Sequence, residues 1–133
     1  MEHMINKEEF QRKFIENFVP NISVNTLKKL KFYPPRNGYL WMVCEHNLVP
    51  NVKGNEAMLA YDMIDKTDAI EIQYDNGFGG DSSSQPLSND NNTSEKINQS
   101  GLYEFFVIGK KFSWCYIVTH EPGGCGPYFI INH

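Results

Sequence analysis

The 133-residue chain is predicted to fold as a single α+β domain spanning 1–133, an antiparallel sheet of about five strands with two or three helices packed mainly on one face. Three observations carry this. Phe10, Phe14 and Phe18 recur every fourth residue near the N-terminus, which is the spacing of one helix face. The last third of the chain is rich in β-branched and aromatic runs with period two. Two of those runs are joined by only Gly109-Lys110-Lys111, a link short enough for a hairpin.

Each element has a local reason. Residues 6–19 read as a helix, with Asn6 as cap and Glu9 three residues later as in a capping box. Pro20 ends it. Residues 23–31 suit a short second helix whose lysines fall near its C-terminal end. Residues 39–46 (YLWMVCEH) read as an interior strand, apolar on both faces. Residues 55–65 are predicted helical, capped by Asn55, with Met58, Leu59, Met63 and Tyr61 on the buried side. Residues 69–74 alternate, placing Ile70, Ile72 and Tyr74 inward and Glu71 and Gln73 in solvent.

Residues 76–100 contain only Phe78, Leu87 and Ile97 as large apolar side chains, and they read as a flexible polar loop. Ordering a backbone residue costs about 1–2 kcal/mol, which three apolar side chains do not offset at about 1.5–3 kcal/mol each. Residues 102–108 and 112–120 are the hairpin strands, with Phe112, Trp114, Tyr116 and Val118 on one face and the smaller Ser113, Cys115, Ile117 and Thr119 on the other. Pro122-Gly123-Gly124 makes a turn, and residues 128–131 form the last strand.

Composition narrows the function classes. A formal net charge of −4 gives no field that favours nucleic acid or an anionic membrane surface. The basic stretch 28–36 (KKLKFYPPR) interleaves lysines with aromatics, but lysines at a helix C-terminus account for most of it. No apolar run approaches the ~20 residues that cross a bilayer, and the N-terminus has no signal-peptide pattern. Three cysteines are too few and too odd for a disulfide scaffold, so a reducing cytoplasm is the expected compartment.

The densest chemistry lies in residues 112–129 (FSWCYIVTHEPGGCGPYF). Cys44 and His46 share a strand face, and His120 and Cys125 flank the glycine turn; these four are the candidate metal ligands, although their spacing matches no usual zinc pattern. His120, Glu121 and Cys125 are the candidate catalytic residues, with Cys125 as nucleophile and His120 as base; the thiol is flanked by glycines rather than by a helix N-terminus or cation. His120-Glu121 is not the start of H-E-x-x-H, because Gly124 stands where the second histidine is needed. Gly77, Gly79 and Gly80 are not followed by the Lys-Ser or Lys-Thr of a phosphate loop. No cofactor is expected. The structural reading of the block, aromatic packing around a tight corner, carries more weight than a reactive site.

The block FSWCYIVTHE followed by GCGPYF resembles the end of a small bacterial family of unknown function. YLWMV and GNEAMLAYD resemble the middle region of that family. The resemblance covers most of the chain from Phe10 onward apart from 76–100, rests on Trp114, His120, Glu121, Gly126, Pro127 and Tyr128 together, and implies no activity.

The resulting expectation is a non-enzymatic cytosolic interaction module, inhibitor-like or immunity-like, whose partner is another protein. Trp41, Trp114, Tyr116 and Tyr128 are the candidate binding residues, with Phe112 beside them, on a sheet face that helices leave open. The alternative is a small enzyme or a ligand- or metal-binding domain with its site near His120 and Cys125.

Overall fold

Two strands that read as continuous apolar runs, FFVI and WCYIV, occupy the middle of the sheet, because both of its faces are covered. The computed structural model describes residues 7–20, 23, 25, 49–74, 82–100, 105–118 and 127–131. Among these are strands β1 (Val52–Lys53), β2 (Ile70–Tyr74), β3 (Ser82–Pro86), β4 (Phe105–Ile108), β5 (Trp114–Val118) and β6 (Tyr128–Ile131). Helices α1 (Lys7–Phe18), α2 (Asn55–Met63) and α3 (Ser94–Ser100) and two short 3₁₀ turns complete the described elements. The strands form one sheet in the order β1-β6-β5-β4-β2-β3, with every neighbouring pair antiparallel. The α+β class is as expected, with six strands rather than about five. The short helix expected over 23–31 (apart from Ser23 and Asn25), the strand over 39–46 and the turn at 122–124 lie outside the described residues.

One helix packs on one face and two pack on the other. The face under α1 carries Ile72, Phe106, Ile108, Cys115, Ile117, Tyr128 and Ile130. The three α1 phenylalanines converge on it: Phe10 meets Phe106 edge-on at 5.0 Å, and Phe14 and Phe18 lie 5.0 Å apart. Fully burying each phenylalanine stabilises the fold by about 1.5–3 kcal/mol, and edge-on contacts add about 0.5–1.5 kcal/mol. The smaller side chains of β5, Cys115 and Ile117, are those that lie beneath α1.

The opposite face carries Phe105, Val107, Trp114, Tyr116 and Phe129 under α2 and α3. Gly54 stands at the α2 N-terminus with φ 64° and no side-chain cap, so Asn55 is not the cap the sequence suggests. The Gly54 N–H donates to the Pro127 carbonyl at 2.9 Å, which fixes the start of α2 beside β6. The inward side of α2 is Ala57 and Tyr61, one turn apart, whereas Leu59 and Met63 are 61% and 77% exposed. Tyr61 and, in part, Met58 face inward as expected; the placement of Leu59 and Met63 is corrected, because packing is set by the stacking of Tyr61 on Tyr116 at 4.2 Å.

Three further expectations change. The hairpin loop is longer than Gly-Lys-Lys: a 3₁₀ turn spans Lys110–Phe112, and β5 begins at Trp114. Lys111 and Phe112 both have φ 56°, which turns the Phe112 ring away from Trp114 and into the α1 layer, 6.1 Å from Phe18. Glu71 is only 6% exposed, so β2 is covered on both sides instead of half-solvated. Finally, residues 82–100 of the expected loop hold β3, a 3₁₀ turn at Asn89–Asn91 and α3.

Polar contacts explain that last difference. β3 pairs with β2 along its whole length. The Glu71 carboxylate accepts from the Ser88 N–H at 2.6 Å and from the Asn91 amide at 3.1 Å. Asp62 accepts from the Ser94 N–H at 2.8 Å and from its hydroxyl at 2.7 Å, which fastens the first turn of α3. Ile97 is fully buried and Leu87 partly so. Hydrogen bonds to a charged acceptor contribute about 1.5–3 kcal/mol each, a term that counting apolar side chains omits. Glu71→Ala is therefore expected to lower the unfolding free energy by about 3 kcal/mol and to bring forward protease cleavage within 82–100; urea unfolding and mapped limited proteolysis measure both.

Candidate functional site

The aromatic residues expected to form a binding face are enclosed. Trp114, Tyr116 and Tyr128 are 4%, 0% and 2% exposed. Tyr116 lies under α2 and Tyr128 lies in the α1 layer, so neither is presented to a partner. This corrects the open-face expectation: the helix laid over the larger aromatic row leaves no bare sheet there, and Phe112 is half-buried against α1. Trp41, Cys44, His46, His120, Glu121 and Cys125 lie outside the described residues. Among the described residues, no group of three or more His, Cys, Asp or Glu side chains is placed to hold a metal ion.

Trp114 does reach one accessible place. An open groove of about 500 Å³ is lined by Ile64, Asp65, Thr67, Lys110, Ser113, Trp114 and Ile131. Three chain segments meet there: the turn after α2, the β4–β5 loop and the end of β6. The indole lies so close to Gly109 that any Cβ at that residue would overlap it, so glycine is what lets the ring lie against the loop. Ile131, opposite Trp114 in the ladder, is 48% exposed, and Met63 immediately precedes Ile64 of the lining.

The polar rim is ordered. Asp65 accepts from the Thr67 hydroxyl at 2.7 Å and from the Thr67 N–H at 2.9 Å, an Asx-type turn. These two donors, the hydroxyl first, hold its carboxyl below the usual aspartate range. Lys110 lies 3.7 Å from the Asp68 carboxylate. Lys66 donates to the Ile64 carbonyl at 3.2 Å and sits 4.6 Å from the centre of the Tyr61 ring; partial burial lowers its pKa. No periodic pattern announces the groove, because its lining residues are far apart in sequence. The one local signal is D-x-T at Asp65 and Thr67, a turn-forming pair.

Behind the groove lies a buried phenol pair. The Tyr61 and Tyr116 rings stack within 7° of parallel. The Tyr61 hydroxyl donates to the Asn91 carbonyl, whereas the buried Tyr116 hydroxyl has no partner among the described residues. Burial pushes both pKa values far above the ordinary tyrosine range, assisted at Tyr61 by Tyr116, Glu71 and Asp62, and at Tyr116 by Asp62. Both phenols are therefore neutral fixtures of the core, not acid–base groups at neutral pH.

Two measurements follow from this pair. Tyr61→Phe is expected to lower unfolding free energy by about 1 kcal/mol, whereas Tyr116→Phe leaves it unchanged or raises it by about 1 kcal/mol; urea titrations of the two variants decide. The pH dependence has a fixed sign. The unfolded chain releases the two phenolic protons near pH ~10 while the folded one keeps them, so their contribution is complete below that value and is lost as pH rises above it. Stability of the wild type should fall more steeply between about pH 9 and about pH 11 than that of the Tyr61→Phe, Tyr116→Phe double variant.

Among the described residues, no helix is long and apolar enough to cross a membrane. No curated protein and no solved structure matches the chain. The family model described as "Domain of unknown function (DUF4275)" matches residues 4–129, which takes in every element described above except the last residues of β6. A match over nearly the whole chain places this protein in the DUF4275 family, a domain of unknown function.

Proposed function

We propose that this protein is a non-enzymatic interaction module, inhibitor-like or immunity-like, that binds another protein through the outer side of α2 and the adjoining groove. One observation carries the reading: Leu59, Met63 and Ile131 are 61%, 77% and 48% exposed, the exposed large hydrophobic side chains among the described residues. Leu59 and Met63 are one turn apart on the same helix, and the Ile64 and Ile131 side chains continue the apolar surface into the groove. Single exposed apolar residues are ordinary, but a run of them beside a groove is the usual mark of a contact surface. The net charge of −4 adds electrostatic steering toward a basic partner. The proposal includes a cytosolic setting, in keeping with Cys115 as a free buried thiol.

The test is a pair of substitutions on the outer side of α2. Leu59→Ser with Met63→Ser should leave thermal unfolding within about 0.5 kcal/mol of the wild type, since neither side chain is in a core. The same double variant should lose the partner that co-purifies with the wild-type protein at fixed stoichiometry. A folded double variant that retains that partner removes the proposed surface.

A further inference from the structure

We draw no further inference here: the strongest candidate, the open groove lined by Ile64, Trp114 and Ile131 beside the exposed Leu59 and Met63 of α2, belongs to the surface already described, and with Asp65 and Asp68 balanced by Lys66 and Lys110 at its rim nothing in the structure shows what covers it.

Discussion

The central strands β4 and β5 are buried on both faces, and this constraint governs where the remaining elements sit. Their backbone groups are paired in the ladders on either side, so the side chains decide what must cover them. Phe106 and Ile117 project into one layer, Val107 and Tyr116 into the other. A sheet left bare on either side would expose several such residues at once, and each is worth about 1.5–3 kcal/mol when buried. Phenylalanines of α1 supply the first cover, and Tyr61 stacked on Tyr116 anchors the second.

The second cover mixes apolar and polar means. Above β5 and β6 it is α2 with its aromatic contact. Above β2 it is the Ser- and Asn-rich stretch 88–100, docked by Glu71, Asp62 and the buried Ile97. A buried carboxylate is tolerated when donors surround it, and the Ser88 N–H and the Asn91 amide do so here. Removing those donors would strand the charge, which ties the polar stretch and β2 to one another.

Legibility in the sequence follows from this division. Elements stabilised by their own periodicity were readable: the i, i+4 phenylalanines of α1, the apolar runs of β4 and β5, and β6 from Tyr128 to Ile131. Elements stabilised by distant polar partners were not. Nothing local marks Ser82–Pro86 as a strand or Glu71 as buried, since each depends on the other being in register. On α2 the expected inward residues divide: Tyr61 and Met58 do pack inward, whereas Leu59 and Met63 are exposed because the ring that fits Tyr116 sets the helix's rotation. Phe112 was misassigned because two consecutive left-handed residues break the alternation that defines strand faces. Among the described residues, Trp114 alone links the anticipated binding residues to the groove; Ile64, Asp65 and Ile131 gain meaning only once three separate segments come together.

The order of the strands also bears on how the chain matures during translation. Three adjacent strands, β4, β5 and β6, come from the last third of the sequence, whereas α1, which must pack on them, comes from its beginning. An emerging nascent chain thus displays three phenylalanines long before their docking surface leaves the ribosome. Packing of α1 must await residues 105–131, and until then its phenylalanines lack the β4–β6 surface that buries them.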